Sequence, residues 1–148
     1  MTVLRDLMAD DHRRCDELFA QAEQAAAKGD WAATAAAFAG FAQALERHLA
    51  AEESDLFPAF EAATGMTMGP TQMMRHEHQE MRALLVETGE AIERRDDEAF
   101  RGLTETLLIM MQQHNLKEEN ILYPMCDANL AATSGQIAGR LRALIGHG

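Results

Sequence analysis

Residues 48–58 read HLAAEESDLFP, and residues 114–124 read HNLKEENILYP. Sliding the chain by 66 positions lays one stretch on the other, and the match extends beyond both: His12 falls on His78, His48 on His114, Glu52 on Glu118, Glu53 on Glu119, Leu56 on Leu122, and Pro58 on Pro124. Apolar neighbours follow, with Met8 on Met74, Cys15 on Met81, Leu18 on Leu84 and Phe19 on Leu85. The aromatic residue before each proline also pairs, Phe57 with Tyr123. Self-similarity at one fixed offset marks a duplicated structural unit. Here the unit is a helical hairpin.

Working outward, helical periodicity covers nearly the whole chain, with breaks at Gly, Asp and Pro. The first helix is expected from about Thr2 to Lys28, with Gly29 as its C-terminal cap and Asp30 as N-cap of the second. The second reaches about Ala63, and Pro58 should kink it by removing a donor and crowding the carbonyl of Ser54. The loop TGMTMG at 64–69 separates the halves. Pro70 suits the first turn of a third helix ending near Arg95. Asp96 or Asp97 caps a fourth, which ends near Asn129 with a second kink at Pro124. Thr133 and Gln136 form a capping-box pattern for a short last helix to about Ile145, expected as a lid or strut.

Short connections between long helices make antiparallel neighbours. The expected fold is therefore all-α: an up-down-up-down four-helix bundle over about residues 1–130, a short C-terminal fifth helix at about 133–146, and a single domain across 1–148. Steps of three and four place the core. The first helix offers Leu4, Met8, His12, Cys15, Phe19 and Ala22; the second offers Phe38, Phe41, Leu45, His48, Glu52 and Leu56. The third offers Met74, His78, Met81, Leu85 and Ile92; the fourth offers Phe100, Leu103, Leu107, Met111, His114, Glu118, Leu122 and Met125. The stripes are apolar except for six ionisable residues.

A formal net charge of −11 disfavours nucleic acid and anionic membranes as partners. No apolar run approaches the ~18 residues of a membrane helix, and Met1 to His12 lack the basic start and apolar stretch of a signal peptide. The expected address is the cytoplasm. Cys15 and Cys126 are too few for a disulfide framework and form no CxxC pair, so they read as reduced, packed thiols.

The six ionisable stripe residues carry the chemistry. Each half presents one His on its first helix and, 36 residues later, a His-x-x-x-Glu on its second. Residues four apart on a helix lie about 6 Å apart on one face, so imidazole and carboxylate aim at one point. Burying two carboxylates unpaired would cost several kcal/mol each, whereas metal cations turn them into ligands. If both carboxylates bridge, four nitrogens and four oxygens serve two ions, and a bridging oxygen leaves each octahedral ion an open position. Imidazole with carboxylate suits iron or manganese and tolerates zinc.

A single His-x-x-x-Glu is more often an ordinary surface pair; two copies in one core register favour metal. His76 lies about 200° round the helix from His78 and should face solvent, and His147 falls in a frayed end. The run His-Glu-His-Gln-Glu at 76–80 lacks the zinc-protease spacing. Glu53 and Glu119 read as solvated or imidazole-orienting groups. Tyr123 lies about 140° from Glu118 on an ideal helix and reads as a hydrogen-bond donor behind the ligands. The ten Met residues read as core filler.

Asp11-His12, His48-x-x-x-Glu52-Glu53 with Leu56-Phe57-Pro58, Glu77-His78, and His114-x-x-x-Glu118-Glu119 with Leu122-Tyr123-Pro124 together resemble the hemerythrin-like, or HHE cation-binding, domains. The likeness covers essentially residues 1–130. The resemblance implies a bundle around two iron ions joined by an oxo or hydroxo bridge, with His12, His48, Glu52, His78, His114 and Glu118 as metal ligands. Zinc or manganese would fit the same donors.

The oxygen-carrying invertebrate hemerythrins use a fifth His one turn before the third-helix His, and an Asp in place of the second Glu. Here Met74 and Glu118 stand at those places. The resemblance therefore leans toward bacterial hemerythrin-like proteins associated with nitric oxide, peroxide or iron-sulfur-cluster stress. The expected function is to bind or reduce a small ligand such as dioxygen, nitric oxide or peroxide. The alternative is an iron carrier or sensor in iron-sulfur cluster repair or metal homeostasis, without turnover. A third reading is a metal-free helical interaction module. Whether the chain is an enzyme stays open among them.

Overall fold

Each helix boundary follows from local chemistry. The computed structural model describes residues 2–146, so His147 lies outside the described residues. Helix α1 (Val3–Ala27) ends where Gly29 takes a φ of 73°, a left-handed turn glycine adopts without strain. Asp30 then caps α2 (Trp31–Ala51), its carboxylate accepting the Ala33 N–H at 3.0 Å. A first π turn (Glu52–Leu56) leads into α3 (Phe57–Thr64). Pro70 opens α4 (Pro70–Glu93). Asp96 accepts the Ala99 N–H at 3.1 Å and starts α5 (Asp97–Lys117). A second π turn (Glu118–Leu122) joins α6 (Tyr123–Asn129), and α7 (Ser134–Ile145) follows.

The π turns make α2 with α3, and α5 with α6, continuous rods. With α1 and α4 these form the four-helix bundle that the stripes predict, and α7 is the short fifth helix. The rods pack around a square: α1 against α2 and α6, α2 against α4, and α4 against α5. Two expectations change in detail. The kinks foreseen at Pro58 and Pro124 take the form of π turns: Phe57 N–H bonds the Glu52 carbonyl and Tyr123 N–H bonds the Glu118 carbonyl, five residues back. Widening the turn just ahead of a proline accommodates its missing donor. The capping box at Thr133 does not form; Thr133 makes no side-chain cap, and its hydroxyl instead bonds the Leu130 carbonyl at 3.5 Å.

The apolar interior is divided into two lobes. One gathers Phe19, Phe41, Leu45, Met81, Leu107 and Met111. The other gathers Leu4, Met8, Phe57, Phe60, Met74 and Leu122. Helix α7 belongs to the second lobe, burying Ile137, Leu141 and Ile145 against α1 and α2. Arg14 holds the Ile145 carbonyl at 2.9 Å and Arg140 pairs with Asp55 at 2.8 Å, so α7 is a fixed strut. Cys15 and Cys126 are free and buried, as expected. Among the described residues, no helix is long and apolar enough to cross a membrane.

Candidate metal centre

His12, His48, Glu52, His78, His114 and Glu118 come from all four rods and are 0–4% exposed. The structure brings all six together. Donor atoms of Glu52, His78, His114 and Glu118 lie within 4.8 Å of one another, and so do those of His12, His48 and Glu118. The two clusters share Glu118. His76 stands apart as expected: its side chain is 77% exposed and pairs with Glu80 at 3.5 Å.

Hydrogen bonding fixes which way each imidazole faces. His12 Nδ1–H donates to Glu119 at 2.7 Å and His48 Nδ1–H to Asp11 at 2.7 Å. His78 Nδ1–H donates to Glu53 at 2.8 Å and His114 Nδ1–H to Glu77 at 2.7 Å. A ring whose Nδ1 carries the proton turns an Nε2 lone pair inward, and an anionic partner makes that nitrogen a better donor to metal. Three of these carboxylates are held in turn by cations. Arg14 bonds Asp11 at 2.9 Å, Arg82 grips both oxygens of Glu53 at 2.8 Å, and Lys117 pairs with Glu77.

The sequence left Glu53 and Glu119 as either solvated or imidazole-orienting groups, of which the second holds, and it left Asp11 and Glu77 without a role. The available signal was an acidic residue directly before each first-helix His in both halves of the repeat.

Among the described residues, four buried side-chain atoms find no hydrogen-bond partner: Glu52 Oε1, His78 Nε2, His114 Nε2 and Glu118 Oε2. His78 Nε2 lies 3.2 Å from Glu52 Oε1 and His114 Nε2 lies 3.3 Å from Glu118 Oε1, without bonding alignment. Lone pairs converging on a point with no donor among them would carry the full desolvation penalty. A cation at that point removes it, so the residues present fit a metal.

Without a cation, protons take over part of the task. Burial opposes charge on His12, but Glu118 and Glu119 outweigh it and push the imidazole up to about 10. At His114 burial is likewise outweighed by Glu118, raising it to about 9. Burial, reinforced by the neighbouring Glu118 charge, raises Glu52. At Glu118 burial is overcome by the charge of His114 and by hydrogen bonds, which hold the carboxyl well below its ordinary range. Positive charge on His12 and His114 thus offsets the buried carboxylates of the layer.

Tyr123 is the further member that the sequence placed only loosely. On an α-helix it would sit about 140° from Glu118; the π turn, bonding residue 123 back to 118, carries it over the glutamate. Its hydroxyl lies 2.7 Å from Glu52 and 2.8 Å from Glu118. Met74, at the place of a fifth His, is 3% exposed and packs in the apolar lobe beside the site.

No curated protein and no solved structure matches the chain. A family model described as the hemerythrin HHE cation binding domain matches residues 3–126, taking in all six converging side chains. With that match and this buried His and Glu cluster inside a four-helix bundle, the chain belongs to the hemerythrin HHE cation-binding domain family.

Proposed function

We infer that this chain holds a dinuclear metal centre, with iron in the working protein, and that it binds or reduces a small ligand such as dioxygen, nitric oxide or peroxide. His12 and His48 serve one ion, His78 and His114 the other, and Glu52 and Glu118 are shared. The observation that carries this reading is the pair of donor clusters meeting at Glu118, together with the four unpartnered atoms. Such a pair would supply redox-active ions with open positions for a small exogenous ligand.

The chain's own residues do the rest. Asp11, Glu53, Glu77 and Glu119 orient the imidazoles. The apolar lobes on either side keep bulk water from the layer, which strengthens every charge interaction within it. Glu119 also lines an open cleft of about 300 Å³ with Asp16, Gln112, Asn115 and Leu116, so a proton leaving His12 has a path to solvent.

Metal analysis of protein purified without chelator tests the centre; two ions per chain are expected, and a stoichiometry near zero after supply of ferrous iron would sink the reading. Stopped-flow measurement of peroxide or nitric oxide consumption by the loaded protein tests the chemistry. A loaded protein that neither binds nor consumes either, but hands its iron to an acceptor, would replace this reading with that of a carrier.

A further inference from the structure

Among the side chains that reach the donor cluster itself, the duplication breaks at one pair. Phe57 and Tyr123 are related by the 66-residue offset. Phe57 stacks on His78 with ring centroids 5.5 Å apart at 27°, and Tyr123 stacks on His12 at 5.7 Å and 28°. The two rings therefore occupy equivalent places. They differ by one oxygen, and that oxygen lies at the centre.

Tyr123 Oη has four neighbours: Glu52 Oε2 at 2.7 Å, Glu118 Oε1 at 2.8 Å, His12 Nε2 at 3.2 Å and His48 Nε2 at 3.3 Å. In an octahedron every vertex has four adjacent vertices, and at bond lengths of about 2.1 Å these lie about 3.0 Å away. The phenol oxygen thus stands beside the donors of the His12, His48 and Glu118 cluster, where a further ligand of an ion held there would stand, and it also reaches Glu52. Both imidazoles donate Nδ1–H to carboxylates, so once metal displaces any proton on Nε2 both rings turn lone pairs toward the same point as the phenol oxygen.

The other half is complementary. All four unpartnered atoms, Glu52 Oε1, Glu118 Oε2, His78 Nε2 and His114 Nε2, belong to the set in which Phe57 replaces the phenol. Each shared glutamate thus turns one oxygen toward Tyr123 and leaves the other unpartnered.

We propose that the centre is asymmetric: Tyr123 ligates the His12/His48 ion through its phenolate oxygen, and exogenous anions bind at the His78/His114 ion, beside Phe57. On loading, the Tyr123 O–H bond breaks, an O–metal bond forms and one proton leaves to solvent; no electron is transferred. This rests on the dinuclear reading above.

Tyr123 is the chain's one tyrosine, so any tyrosinate–metal signal has one source. The ferric-loaded wild type should show a phenolate-to-iron charge-transfer band in the visible. Its resonance Raman spectrum should carry tyrosinate ring modes that shift in protein grown on ring-deuterated tyrosine. Tyr123→Phe should lose both signals. Phe57→Tyr, with two irons retained, should weaken azide binding at least ten-fold by supplying a phenol to the open ion. Two irons per chain with no tyrosinate modes in the wild type would overturn the proposal while leaving the dinuclear reading intact. Fewer than two irons would overturn both. Unchanged azide affinity in Phe57→Tyr would overturn the placement of the exogenous ligand.

Discussion

Glu53→Gln tests whether the carboxylates behind the imidazoles set metal affinity. Glu53 accepts His78 Nδ1–H at 2.8 Å while Arg82 binds both its oxygens at 2.8 Å. Glutamine keeps the length but offers one acceptor oxygen and an NH2 group, so either Arg82 or His78 must face a donor. His78 loses its anionic partner, and with it part of the basicity of Nε2. Loss of such an orienting group lowers metal affinity about 10- to 100-fold, equivalent to about 1.4–2.8 kcal/mol. The assay is competition between the protein and a chromophoric chelator for zinc, a redox-silent probe, with far-ultraviolet circular dichroism to check helicity. The weaker of the two binding constants should fall by that factor. Glu80→Gln, which alters only the exposed pair with His76, should change nothing. A Glu53→Gln protein of full helicity that binds both ions as tightly as the wild type would refute the reasoning.

Three further outcomes follow from the same geometry. Glu118→Ala removes the residue common to both donor clusters and should abolish binding of both ions, while His76→Ala retains two per chain; elemental analysis of both variants decides this. Leu141→Ala opens a cavity where α7 meets the bundle, at a residue that is 0% exposed, and should lower stability by about 2–5 kcal/mol, read from urea unfolding at fixed metal occupancy. In metal-free protein the folded-state values of His12, about 10, and His114, about 9, lie above the ordinary 6.5. Their stabilisation is therefore complete below about pH 6.5 and is lost as pH rises through 9 to 10. Metal must displace the same protons, so metal affinity should rise with pH across that window and loading should acidify an unbuffered solution. Urea unfolding and proton-release titration check the two halves of this statement, and stability that rises with pH in metal-free protein would contradict it.

The fold was legible because the four rods keep strict helical stripes and the connections carry plain caps; Asp30 and Asp96 do what their positions suggest. The six converging side chains were legible because a duplication repeats them in register. Other features lay beyond single-residue spacing. A proline announces a disturbance but not its form, so the π turns, and with them the facing of Tyr123, could not be read from 100° steps. Asp11 and Glu77 adjoin their histidines in sequence, yet each bonds the imidazole of the neighbouring rod, a relation that emerges only on packing. Leu85, Leu103 and Met125, on the expected stripes, are only partly buried, while Thr88 and Thr104 are buried by returning their hydroxyls to the carbonyls of Leu84 and Phe100.

The split interior has a consequence for the life of the molecule. A waist of ionisable groups parts the two apolar lobes, so the rods lack a continuous greasy seam and lean on whatever neutralises their middle. Any ion that binds the folded chain and not the unfolded one adds stability that grows with the logarithm of its free concentration. Durability against proteolysis is thereby tied to mineral supply, and starvation for the ion should shorten the protein's survival before any reaction at the centre is affected.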